Sequence, residues 1–423
     1  MRLIITLFIV SLLAACTALP EQPQAVDPDA IIATYIDIAR ASYGDSLDSA
    51  LVLQQAVDDF LEAPSADTLQ AAKNAWLAAR IPYQQTEAFR FGNSVVDEWE
   101  GRVNAWPLDE GLIDYTAPVY GTESDFNYFY SANVIANELL DAGGVIVDAA
   151  VISPQLLAEE LHLLDGVEAN VATGYHAIEF LLWGQDLNGT NPGAGNRPWT
   201  DYSLDNCTNG HCDRRRQYLA AAVELLVNDL EEMVHNWQDG GAAYNDLLGK
   251  GTQGALSTML TGMGSLAYGE LAGERIRLGL LLNDPEEEHD CFSDNTHNSH
   301  YYDALGIRNV FMGEYRRING EIVAGPSLAQ LLRQEDAAVH AEMMARLEET
   351  GDAMAALVDE ASRGNTFDVL IGRDNTHGEA VITRIVNALM EETRTIEKII
   401  NALALTNVSI EGSDSLDNPS AVF

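Results

Sequence analysis

Apolar residues recur at three- and four-residue intervals along most of the chain, the pattern of helices that bury one face. It is clearest in "DAIIATYIDIARASYGDSLDSALVLQQAVDDFL" (29–61) and "SADTLQAAKNAWLAARIPYQQTEAFRF" (65–91). Pro82 falls inside the second stretch and predicts a kink or an inner turn there. Residues 92–127 lose the period and are rich in aromatics and acids; a loop that long inside a compact domain is usually functional or packed. Ser153 and Pro154 supply an N-cap and a first-turn proline for a helix running toward Trp183. Residues 184–212 read as loop and 213–237 as helix, and "QDGGAAYND" reads as a domain junction. The second half repeats the plan. Residues 251–282 form a helix whose glycines permit close contact, 283–306 a polar loop, and 327–362 and 378–405 two long amphipathic helices. No stretch reads as a strand. The expectation is an all-α protein of two packed helical bundles related by duplication. They would span 29–238 and 239–410, with a polar tail at 411–423.

The N-terminus follows other rules. Arg2 precedes the apolar run "LIITLFIVSLLAA", which is too short to span a bilayer and reads as a signal peptide over residues 1–15. "LAAC" resembles a bacterial lipobox, which implies cleavage before Cys16 and lipidation of its thiol. Residues 16–28 then form a Pro-rich tether. The expected address is the cell envelope. Thr17 offers no obvious signal for retention at the inner membrane, so outer-membrane attachment facing the periplasm is expected. An exported chain meets an oxidising compartment. There Cys207 and Cys212 in "CTNGHC" can close a disulfide loop; a C-x4-C zinc half-site is the rival, but no second half-site follows. Cys291 is left over.

A formal charge of -42 argues against nucleic-acid binding, because phosphates would be repelled. It raises the local concentration of metal cations without choosing among them. "GAGNRPWTD" lacks the strand–loop–helix setting of a phosphate cradle, and no G-x-S-x-G marks a serine nucleophile.

The chemistry gathers in three stretches. In "GYHAIEFLLWG", His176 and Glu179 stand three apart on one helix face inside an apolar run. Such a pair suits Zn, Fe or Mn, or it makes a buried hydrogen bond that orders the core. In "AWLAARIPYQQTEAF", Trp76, Arg80, Tyr83 and Glu87 follow one helical stripe. Glu87 is a candidate ligand there, with Arg80 and Tyr83 holding carboxylates behind the metal. A surface Arg80–Glu87 pair is the alternative. "HDCFSDNTHNSH" holds His289, Asp294, His297 and His300. "DNTH" recurs at 374–377 directly before a helix, where capping explains it, so Asp294 and His297 rank below His176 and Glu179.

Together these stretches resemble the imelysin family. "GYHAIEFLLWG" is similar to its G-x-H-x-x-E motif, and W-x3-R-x2-Y-x3-E to its N-terminal signature. "HDCFSDNTH", with "YGELAGERI" upstream, resembles its iron-regulated protein A branch. The resemblance spans roughly 30 to 405 and implies an all-helical fold of two four-helix-bundle-like halves. It also implies an exported or lipid-anchored protein of bacterial iron acquisition. The expected function is to bind a transition-metal ion or an iron-bearing ligand at a His/Glu groove, with iron first and zinc second, alongside an iron-transport partner. The alternative is a zinc metallopeptidase using His176, Glu179 and His297, for which the sequence offers no assignable base or oxyanion donors.

Overall fold

The computed structural model describes residues 25–422. The signal peptide, Cys16 and most of the tether lie outside the described residues. Helix α1 (Pro28–Glu62) starts at an Asp27 cap, and α2 (Ala66–Gln84) at a Ser65–Thr68 capping box. A 3-10 turn follows (Glu87–Phe89), then α3 (Ser94–Val103) and the short α4 (Glu110–Ile113). Helix α5 (Gly174–Trp183) carries the H-x-x-E pair, and α6 is Cys212–Asn236. Helices α7 (Ala242–Gly249) and α8 (Gly251–Ser265) come next; α8 runs on as a π-helix (Leu266–Arg277) into α9 (Leu278–Leu282). Helices α10 (Thr296–Met312), α11 (Leu328–Glu335), α12 (Ala337–Ser362), α13 (Phe367–Ile371), α14 (Thr376–Ala402) and α15 (Asp414–Asp417) complete the chain.

One group of helices packs α1 against α2 and α6, with α5 between α2 and α6; a second packs α12 and α14 with α10 and the π-helix. Helix α2 touches both α5 and α10. A continuous buried core runs through both groups. Among the described residues, no helix is long and apolar enough to cross a membrane.

The structure departs from the periodicity in several places: α10 begins inside the expected 283–306 loop, Asp336 splits 327–362 into α11 and α12, and three further differences concern the first half and the strands. The helix expected from Ser153 to Trp183 is broken. Ser153 does cap its start, accepting from the Leu156 amide at 3.2 Å. But Leu163 and Asp165 adopt positive φ, and the chain restarts a separate helix at Gly174. Residues 92–127, where the period is lost, contain α3 and α4. Two hairpins also form, where no strand was expected: β1 (Leu139–Ala142) with β2 (Val145–Asp148), and β3 (Glu314–Arg316) with β4 (Ile322–Ala324). "LLDAGGVIVD" joins two apolar runs by Gly-Gly, a two-residue hairpin turn.

The glycines of the 251–282 stretch do serve close contact: a Cβ on Gly262 would meet the Ala88 carbonyl at 2.2 Å. The tail is packed rather than free, since the buried Ser415 hydroxyl donates to the Gly273 carbonyl at 2.9 Å. Between α12 and α14, Thr350 donates to Glu392 at 2.5 Å, while the other Glu392 oxygen is buried without a partner.

Burial pushes the Glu392 carboxyl up to about 7. Its folded pKa therefore exceeds the unfolded one, and the folded state holds the extra proton between them. Stability is full below the unfolded pKa and falls as pH rises through about 7. Glu392→Gln should therefore stabilise the protein by roughly 1–3 kcal/mol at pH 8 and much less at pH 5. Urea denaturation at both pH values checks this; an equal effect at both would contradict it.

Candidate metal centre

Helix α5 is buried at every position, so its side chains are fixed by packing. It begins at Gly174, where φ is +79° and a Cβ would lie 2.3 Å from the Val103 carbonyl oxygen. Only glycine lets α5 start this close to α3. Two turns of local chemistry then shape α2. Pro82 donates no N–H to the Ala78 carbonyl. The helix ends two residues later, with Thr86 donating to the Tyr83 carbonyl at 2.6 Å and Gln85 to that of Ile81 at 2.9 Å.

Nδ1 of His176 and Oε2 of Glu179 are 3.0 Å apart, and both residues are fully enclosed (1% and 0% exposed). The other Glu179 oxygen accepts from the Ser293 amide at 2.9 Å and the Ser293 hydroxyl at 2.7 Å. Nε2 of His176 is buried with no hydrogen-bond partner, as is Nδ1 of His289. The two rings lie 4.9 Å apart. His176, His289 and Asp290 each bring a ligand atom to within 4.8 Å of the others. Buried polar atoms are rarely left unpaired, so this convergence is a candidate ligand site.

Asp290 is held from all sides. Arg80 donates to Oδ1 at 2.8 Å, and Asn295 and Ser299 donate to Oδ2 at 2.7 and 2.5 Å. Arg80 also donates to Asn104 and lies over the rings of Trp76, Tyr83 and Tyr175. Burial would raise the Asp290 carboxyl, but Arg80 and these donors hold it below the usual carboxylate range. Burial, with the Asp290 charge nearby, pushes Glu179 well above that range despite Ser293 and Arg80. Burial and then Arg80 bring the His176 imidazole down to about 3, and burial and then Arg275 put His289 well below its ordinary value. Both imidazoles are therefore neutral, the state a metal ligand needs.

The sequence-predicted residues divide. His176, Glu179 and Arg80 meet here. Trp76 supports them, its indole N–H donating to the Tyr175 carbonyl at 3.0 Å. Glu87 does not join the His176–His289–Asp290 group. It leaves the helical stripe on the 3-10 turn and pairs with Arg275 at 2.7 Å. The π-helix turns that arginine inward, where it also holds Asp303 at 3.0 Å. The buried Tyr83 hydroxyl makes no hydrogen bond, so it holds no carboxylate. His297, half-buried on α10, is outside the group, and His300 stacks 6.3 Å from His289 with both ring nitrogens unpartnered. Asp294 belongs to a different cluster, with Asp186 and Asp368. Asp290 and Ser293 were not singled out, although both lie inside "HDCFSDNTH". Consecutive His and Asp beside an arginine-bearing stripe was the available signal. The expected open groove is instead an enclosed cluster. Cys207 and Cys212 form a disulfide, and Cys291 is free.

The imelysin family model (Peptidase_M75) matches residues 39–396. The chain belongs to the imelysin family. This imelysin is 25% identical over 339 residues to iron-regulated protein A of Synechococcus elongatus, covering 77% of this chain and 74% of that protein. Its fold is similar to a crystal structure described as an iron-regulated protein A precursor from Parabacteroides distasonis (TM-score 0.65, 18% identity, 90% of this chain and 97% of that one). It is also similar to an imelysin-like protein from Psychrobacter arcticum (TM-score 0.56, 16% identity, 90% and 98%). The all-helical expectation agrees with these folds.

Gly174→Ala should destabilise this imelysin by roughly 1–3 kcal/mol, through the positive φ and the clash with Val103. The urea midpoint reads this, and an unchanged midpoint would show that α5 can shift without cost.

Proposed function

We propose that this imelysin is an exported, lipid-anchored protein of bacterial iron handling that binds a bare transition-metal ion, iron(II) foremost, at His176 Nε2, His289 and Asp290. The observation that carries the reading is the convergence of two neutral, enclosed imidazoles, each with an unpartnered nitrogen, on one ionised carboxylate. Two histidines and a carboxylate suit iron(II). Glu179 is then an orienting group rather than a ligand. As acceptor from Nδ1–H it fixes the ring and its tautomer and presents the Nε2 lone pair, the carboxylate–histidine arrangement of many metal sites. A cation here would also compensate the buried Glu179 carboxylate, whose ionisation is otherwise costly.

Enclosure favours a bare ion over a bulky iron-bearing ligand, and zinc is the competing metal for the same donors. It also weighs against the peptidase alternative. Glu179, the natural candidate for a general base, already accepts from Ser293 twice and faces His176. A peptide would need an open cleft at residues that are buried here. The similarity to iron-regulated protein A supports iron as the cargo. The lipobox supports anchoring at the cell envelope, with the outer membrane facing the periplasm as the proposed address and an iron-transport component as the proposed partner.

Calorimetric titration of chelator-stripped protein with iron(II) under anaerobic conditions should show one site. His176→Ala, His289→Ala and Asp290→Asn should each weaken it at least tenfold. Glu87→Gln should bind as wild type does. Equal binding by wild type and the His176→Ala/His289→Ala double variant would contradict the assignment. Separately, Cys16→Ser should abolish labelling by a fatty-acid probe and release the protein from the membrane fraction. Unchanged labelling would exclude Cys16 as the anchor.

A further inference from the structure

A second group of acids lies on the same loop as His289 and Asp290 but is built differently. Asp186 follows α5, Asp294 precedes α10, and Asp368 sits in α13; each brings a carboxylate oxygen to within 4.8 Å of the others. Asp368 is completely buried, and neither of its carboxylate oxygens has a hydrogen-bond partner. Asp294 is buried with Oδ1 unpartnered, and its backbone takes a left-handed φ of +55° to place it. Asp186 is half-buried and accepts from the Asn188 amide and side chain at 2.9 and 2.7 Å. The buried Glu288, whose Oε1 is also unpartnered, lies close enough for its charge to act on Asp368 and Asp294.

The rest of the protein shows how unusual this is. Several other buried acids are matched by guanidinium groups: Asp114 by Arg197 and Arg215, Glu87 and Asp303 by Arg275, Asp290 by Arg80, Asp45 by Arg317. Among the described residues, no arginine, lysine or histidine pairs with Asp186, Asp294 or Asp368. Like charges this close and this dry disfavour one another strongly unless a cation or a proton intervenes. Burial and then the neighbouring carboxylates push Asp294 up to about 7, and burial raises Asp368 against the opposing pull of Thr366 and the Val369 amide.

We propose that Asp186, Asp294 and Asp368 form a second cation site, selective for calcium, that ties the 288–296 loop to α13 and to the segment after α5. The donor set is all oxygen with no imidazole, which suits a hard cation over a transition metal. Its residues come from irregular segments, and Asp186 leaves an edge open for water. Calcium tolerates such variable geometry, whereas magnesium demands a near-ideal octahedron. The inference goes beyond the iron reading and does not depend on it, because no residue is shared.

The test uses the mature full-length protein stripped with EGTA. Calcium should raise its Tm by several degrees and titrate as one site, with magnesium giving a clearly smaller shift. Asp294→Asn and Asp368→Asn should lose the shift and bind calcium at least tenfold more weakly. His176→Ala should keep the full response, which separates this site from the iron site. If Asp368→Asn fails to fold, Asp186→Asn, at the half-exposed edge, replaces it and should weaken binding at least tenfold. No heat and no Tm shift with wild type at millimolar calcium would overturn the proposal and leave the three acids sharing protons. So would an equal shift in wild type and Asp294→Asn, which would reduce the effect to the acidic surface. An equal response to magnesium would overturn the calcium assignment.

Discussion

The candidate metal centre depends on one buried ion pair, Arg80 with Asp290. Removing both charges from water costs several kcal/mol for each ion in a protein interior, to order of magnitude. That cost is offset only where geometry and further hydrogen bonds are good. Here Asn104 takes a second guanidinium N–H, three aromatic rings surround the cation, and Ser299 and Asn295 complete the carboxylate. Arg80 stands on α2, which packs on both helical groups, and Asp290 on the loop before α10. The pair therefore does two things at once. It ties that loop to the helical frame, and it keeps a carboxylate ionised beside two imidazoles that burial keeps neutral.

The loop itself contributes to both acidic and imidazole clusters. Within Glu288–Thr296, His289 and Asp290 face His176, Ser293 holds Glu179, Asp294 turns the other way toward Asp186 and Asp368, and Thr296 accepts from the Asp290 amide at 2.8 Å. A short segment can serve two opposed clusters because each residue is fixed by a different partner.

Much of this was legible in the pattern of apolar positions. Helix α1 follows its three- and four-residue spacing closely, and Pro82 ends α2 where ring geometry requires. His176 and Glu179 stand on one face as their spacing dictates. What periodicity cannot carry is contact between distant segments. It projected Glu87 along a helix that had already ended, whereas the 3-10 turn hands Glu87 to Arg275. It left Asp290 unmarked, because an aspartate in a polar loop looks like any other until Arg80 is placed beside it. The unbroken helix from Ser153 failed for a related reason: Gly174 is dictated by the approach of Val103, and nothing local announces that neighbour. Both hairpins carry a local sign that the helical reading passes over, the Gly-Gly between two apolar runs at 139–148 and Asn319-Gly320 in the turn at 314–324.

The central claim is that imidazoles, not the acidic surface, hold the iron. X-ray absorption at the iron edge of protein loaded with one equivalent of iron(II) reads the donor atoms directly. The account predicts the multiple-scattering signature of two imidazoles together with a carboxylate oxygen, reduced to one imidazole in His289→Ala. A spectrum of oxygen donors alone, the same in wild type and in that variant, would contradict it.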